Sequence, residues 1–224
     1  MRGIEDACAM FAKSTVRSFK GFLNCGDLKN ASNMFMKCKC LNGGIDILLQ
    51  CKNLVEGLNM FYNSSFTGNG MKIVLENLVS ANSMFSYSSG VVTNVLSEDT
   101  FKCPKLENGE RMFLSVKNIQ KIDSIVLPNC KKSHGMFMSD INLAEVGSVT
   151  LNAATEIIEL FSSCKNLRRV GAIYAKNCQY TQRLFKEASN LSIVGDLDLS
   201  SSSSCSEMFK YCKDLKSVLR IKLP

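Results

Sequence analysis

The chain has 224 residues, 46% of them hydrophobic and 21% charged, with a formal net charge of +7, eleven Cys, one His and no Trp. That is enough for one sizeable core. No stretch reaches the roughly 18 apolar residues of a membrane span, and the opening M-R-G-I-E-D-A-C-A-M-F holds no apolar run of signal-peptide length.

In chain order one unit keeps returning. Its anchor is a phenylalanine: Phe11, Phe35, Phe61, Phe85, Phe113, Phe137, Phe161, Phe185 and Phe209, at gaps of 24, 26, 24, 28, 24, 24, 24 and 24. Met precedes seven of them, Leu160 and Leu184 the other two. A fixed period of this size is the signature of a solenoid. The final copy is the clearest. Cys205, Met208, Phe209, Cys212 and Leu215 have helical spacing, and Val218, Ile221 and Leu223 follow with the spacing of a strand. The pattern predicts a short helix, a turn and a very short strand in each repeat.

The inward strand pairs, in order, are Leu23/Cys25, Leu49/Cys51, Ile73/Leu75, Phe101/Cys103, Ile125/Leu127, Val149/Leu151, Ile173/Ala175, Leu197/Leu199 and Ile221/Leu223. The two long gaps then fall between helix and strand, within Cys40–Asp46 and within Gly90–Asp99. Loops accept such insertions cheaply. Pro104, Pro128 and Pro224 each follow the second residue of a pair, where a strand ends. Helical crossovers between successive strands require parallel pairing and a right-handed connection. The expected fold is an α/β solenoid: a right-handed leucine-rich-repeat coil of about nine repeats, with a parallel concave sheet and short helices on the convex side. Residues 1–224 form one such domain.

The residues also resemble a known family. V-x-x-I-x-L is the strand core of leucine-rich repeats. M-F-x-x-C-x-x-L-x-x-V, closed by I-x-L-P, is similar to the BspA-like (Treponema-type) subfamily. F-S-S-C-K-N-L-R-R-V, F-K-Y-C-K-D-L-K-S-V, I-V-L-P and I-K-L-P carry the match, which extends over nearly the whole chain. Such relatives occur on bacterial and protozoan surfaces and in phage genomes, and are associated with adhesion and protein binding. The resemblance therefore implies a phage-encoded or virion-associated binder, or a fragment of a surface adhesin.

Chemistry is sparse. The cysteines alternate with Ala, Leu, Ser and Val at equivalent positions, as small buried hydrophobes do, so free core thiols are expected. No C-x-x-C is present and His134 stands alone, so neither a metal site nor a cofactor is expected. No nucleophile–base set or carboxylate pair is visible, so the chain reads as non-enzymatic. A cytoplasmic or virion-associated setting follows from the missing signal and the thiols.

Two surfaces remain. The outward strand row carries Val74, Lys102, Val126, Thr150, Tyr174, Asp198 and Lys222, the row beside it adds Phe22 and Leu48, and together they are the expected protein-binding face. After Phe161, eleven bases meet five acids. Lys165, Arg168, Arg169, Lys176, Arg183 and Lys186 form a candidate basic patch, with nucleic acid as the alternative partner. Uncovered solenoid ends would favour self-association or a larger assembly.

Overall fold

The computed structural model describes residues 3–17, 25–40, 51–68 and 70–224. Phe22 and Leu48, with Leu23, Leu49 and most of the first insertion, lie outside the described residues. The elements are β1 (Thr15–Val16), β2 (Lys39–Cys40), β3 (Ser65–Phe66), β4 (Ile73–Val74), β5 (Val95–Leu96), β6 (Phe101–Lys102), β7 (Lys121–Val126), β8 (Glu145–Thr150), β9 (Arg169–Tyr174), β10 (Ile193–Asp198) and β11 (Ser217–Lys222). All strand pairs are parallel. The main sheet has the order β11-β10-β9-β8-β7-β5, and β1-β2-β3 and β4-β6 form smaller ones. A second ladder of single bridges runs Asp6–Asn30–Glu56–Ser80–Asn108–Lys132–Glu156–Tyr180–Ser204, eight steps in all. The molecule is a β-solenoid of about eight turns.

The predicted helices are not there. Among the described residues, the segment around each Phe is a run of turns. In the first coil, Met10 N–H bonds Ala7 O, Ala12 N–H bonds Ala9 O and Ser14 N–H bonds Phe11 O. The intervening amides of Ala7, Ala9, Phe11 and Lys13 donate instead to the next coil, at Asn30, Ser32, Met34 and Met36. Half the donors thus leave the coil, which no helix permits. The residues two before and two after every Phe have φ between 50° and 65°, and seventeen of these eighteen are not glycine. That alternation of left- and right-handed backbone breaks any helix within one turn.

The turns also set the spacing of the coils. A helix is wider than a strand and would splay the coils on its side. Here both sides of each coil are hydrogen-bonded to the next. The phenylalanine rings record the spacing: successive centroids are 5.2–6.0 Å apart, with interplanar angles of 5–9°. This is close to the strand spacing of about 4.8 Å. From Phe35 to Phe185 each ring is fully buried, whereas Phe11 and Phe209 are only partly covered.

The second insertion is resolved by register. Leu96 pairs with Ile122, and Phe101 pairs with Ile73. Two extra residues therefore precede Leu96 and two separate it from Phe101. Around it, Asn118 caps both Gly90 N–H and Val92 O. Eight of the cysteines are buried; Cys8 and Cys205 are exposed. The burial expected for Cys205 is therefore not realised, because the final coil is only partly covered, although Ala31, Ala81, Ile157 and Thr181 at equivalent positions are buried.

One core residue is out of character. Asp140 occupies the site three after Phe137, where Cys38, Cys164 and Ser64 stand in other coils, and it is fully buried. Its Oδ1 accepts from Val116 N–H at 2.7 Å and its Oδ2 has no partner. Burial lifts this carboxyl well above the ordinary aspartate value of 3.8. The folded chain then holds a proton that the unfolded chain has released. Its contribution to stability is full below the ordinary value, falls as pH rises towards the folded value, and stays low beyond it. Asp140→Asn should raise the melting temperature at neutral pH, and the gain should vanish at acid pH. Thermal melts of both chains across pH check this.

Candidate binding face

The outward surface of β7–β11 is built by an interrupted alternation. In β8, Val146 and Val149 point inward, with Gly147 and Ser148 together outside between them. The same step recurs as Val170/Ile173 and Val194/Leu197. Two consecutive outward residues make a small bulge in every strand, and pairing skips one position there. The skipped position is Gly147, Gly171 and Gly195 in three successive coils. Beside it run Ser124, Ser148 and Ala172. In β8 and β9 the face therefore carries a short strip of nearly bare backbone, bounded by Asp123 in β7 and Asp196 in β10.

Next to the strip, the predicted row is in register. Val126, Thr150, Tyr174, Asp198 and Lys222 are consecutive pairing partners across β7–β11, and Val74 pairs with Lys102 in β4–β6. Val126 is 49% and Tyr174 41% exposed. The charged members are committed: Lys102 to Glu76 at 3.0 Å, Lys222 to Asp198 at 3.7 Å and Arg220 to Asp196. The Ser200 hydroxyl, then Lys222, hold the Asp198 carboxyl below its usual value. At the other margin the turn before Phe101 projects Glu98 and Asp99, and Ser124 donates to Glu98 at 3.0 Å. The face thus has an apolar centre, Val126 and Tyr174, set among ion pairs that are already satisfied.

The six basic residues do not form one patch. Arg183 sits between Glu159 at 3.2 Å and Glu207 at 3.3 Å, and Lys186 contacts Glu207 at 3.0 Å. Hydrogen bonds from Lys210 and Lys186 draw the Glu207 carboxyl down to about 2. His134 joins this network at 3.5 Å from Glu159. Lys165, Arg168 and Arg169 lie on a different corner of the coil, and Lys176 on the turn after β9. No ion pair holds these four among the described residues. No group of three or more His, Cys, Asp or Glu could hold a metal among the described residues. No helix among them is long and apolar enough to cross a membrane.

Two asparagine ladders were missed in sequence. Asn118, Asn142 and Asn166 send their side-chain amides to the carbonyls of Val92, Lys117 and Ile141 in the preceding coil. Asn53, Asn77, Asn129 and Asn177 do the same to Gly26, Lys52, Pro104 and Asn152. The repeated N-L, N-I and N-C dipeptides were the available signal. These amides tie the corners of each coil to the coil before it.

A stacked parallel coil with a period near 24 residues defines a solenoid repeat protein. The family model described as "Mycoplasma protein of unknown function, DUF285" matches residues 1–101, 29–145 and 107–221. The chain belongs to this family, a BspA-like repeat family. No curated protein and no solved structure matches it.

Proposed function

We propose that the chain is a non-enzymatic interaction scaffold that binds a protein partner through the outward face of β7–β11. The row Val126–Thr150–Tyr174, in register beside a strip of Gly, Ser and Ala, carries this reading. Exposed aromatic and branched side chains supply anchors, and the bare strip lets a partner approach the backbone. The proposed setting is cytoplasmic or virion-associated, and the many buried thiols are compatible with it.

The test is capture from the native source with the wild-type chain and with Val126→Asp combined with Tyr174→Asp. Both residues are surface-exposed, so the variant should keep its circular dichroism. Loss of a central anchor costs about 2 kcal/mol or more, so a true partner should be retained at least tenfold less well. Equal retention of the same proteins by the variant would remove this face from the proposal.

A second reading concerns self-association. On the coil centred on Phe209, Ile221 is 39% and Leu223 46% exposed although both occupy inward strand positions. A further coil, from a second copy or from more chain, would cover them.

A further inference from the structure

We propose that the corner between the turns and the main sheet, on the coils centred on Phe161, Phe185 and Phe209, binds single-stranded nucleic acid. This surface is distinct from the outward face of the sheet.

The corner groups five cations on neighbouring coils of the final third. Lys165 and Lys213 stand four residues after their Phe, with Ser189 between them on the middle coil. Arg168 and Lys216 stand seven after, with Ser192 between. Equal positions two coils apart are about 10 Å apart along the axis, twice the strand spacing. Arg169 follows directly. None of these five cations is in an ion pair among the described residues, whereas neighbouring Arg183, Lys186 and Lys210 are neutralised by Glu159 and Glu207. The positive field of the final third is therefore concentrated here.

The cations line two adjoining shallow troughs. One is formed by Lys165, Glu187, Ser189, Tyr211 and Lys213, and the other by Arg168, Asn190, Ser192, Asp214 and Lys216. Counting Arg169 with its strand neighbour Glu145, five bases meet three acids, and Glu187 already accepts from the Ser163 hydroxyl at 3.2 Å. Tyr211 selects among polyanions. Its ring is in the first trough, 58% exposed, with the Lys210 ammonium 5.4 Å from its centroid. Phosphates suit the ammonium and guanidinium groups, and a base can stack on the open ring. The flat π-face of a base matches the ring more closely than a sulfate or carboxylate group does. A rigid duplex buries its bases and could not stack on it.

Fluorescence anisotropy of a labelled thymidine oligomer of about 20 nucleotides tests the proposal. With about five phosphates neutralised, affinity should fall roughly fifty-fold for a threefold rise in salt. Lys165→Gln, Arg168→Gln, Lys213→Gln and Lys216→Gln together should weaken binding at least about tenfold and flatten the salt dependence. Removing four remote cations, Lys13, Lys37, Lys52 and Lys132, should change it less than about threefold. Tyr211→Ser should weaken it several-fold while Tyr211→Phe should not. Circular dichroism of each variant reports folding. The proposal is overturned if the corner variant binds as the wild type does, or if the remote variant loses as much. It is also overturned if inorganic polyphosphate competes as well as the oligomer and Tyr211→Ser is silent, which would point to an acidic polymer without bases.

Discussion

Replacing Phe137 by alanine should cost about 3–5 kcal/mol, the range for deleting a buried aromatic from a close-packed core. The ring is fully buried and lies between Phe113 at 5.2 Å and Phe161 at 5.4 Å, nearly parallel to both. Its removal therefore breaks two stacked contacts as well as opening a ring-sized cavity. Neighbouring coils cannot collapse into that cavity, because hydrogen bonds such as Phe113 N–H to Met136 O and Phe137 N–H to Leu160 O fix their spacing. For a chain of this length the loss corresponds to a fall in melting temperature on the order of 10 °C. In a solenoid each coil touches only its neighbours, so a weak coil in the middle can uncouple the two halves. Urea unfolding of the variant should become broader or biphasic. Phe209→Ala is the control. That ring has one stacked neighbour, Phe185 at 5.5 Å, and is partly exposed already. It should cost about half as much or less, with one cooperative transition retained. Equal losses at the two positions would contradict a continuous aromatic spine.

The spine was legible because one residue type carries the period. The inward pairs from Ile73/Leu75 onward were legible for the same reason, and their in-register partners make up the sheets. The helices were misread because Cys205, Met208, Phe209 and Cys212 fit helical spacing and a run of overlapping turns equally well. The discriminating positions were two residues either side of each Phe. Asn33, Asn59, Asn63 and Gly135 suit left-handed backbone there, but Arg111, Glu159 and Tyr87 at equivalent sites hide the trend. The basic patch was misjudged because nearness in sequence is not nearness on a coil. Lys165, Lys176 and Arg183 leave on different sides, and the partners of Arg183 are 24 residues away in either direction, at Glu159 and Glu207. The repeat period, rather than the local run of charge, was the frame in which to look for ion pairs. The repetition of Gly147, Gly171 and Gly195 is plain in the sequence. Its cause is invisible there, since it lies in the backbone of the adjacent coil.

That cause makes Gly171→Ala the second large effect. A Cβ on Gly171 would lie 2.2 Å from the carbonyl oxygen of Gly147, and one on Gly195 would lie 1.7 Å from that of Gly171. The obstructing atoms are backbone, so a side chain turning away cannot relieve the clash. The coil would have to lift, but β9 is paired on both sides, with β8 and with β10. Overpacking of a well-ordered interior costs about 1–3 kcal/mol, and a methyl group against an immobile carbonyl belongs at the upper end or beyond. Gly171→Val should prevent the β8–β9–β10 ladder from closing. The chain supplies its own comparison in Leu219, which occupies the same position in β11 with its side chain 71% exposed. β11 is paired only with β10 in this sheet and has room to tilt. Gly171→Ala should therefore speed hydrogen exchange at the amides of β8–β10 while leaving β1–β3 protected. Leu219→Gly should stabilise little or not at all. If Gly171→Ala exchanged as slowly as the wild type, the bulge would not be held against the carbonyl of the coil before it, and the short strip of the proposed binding face would have to be redrawn.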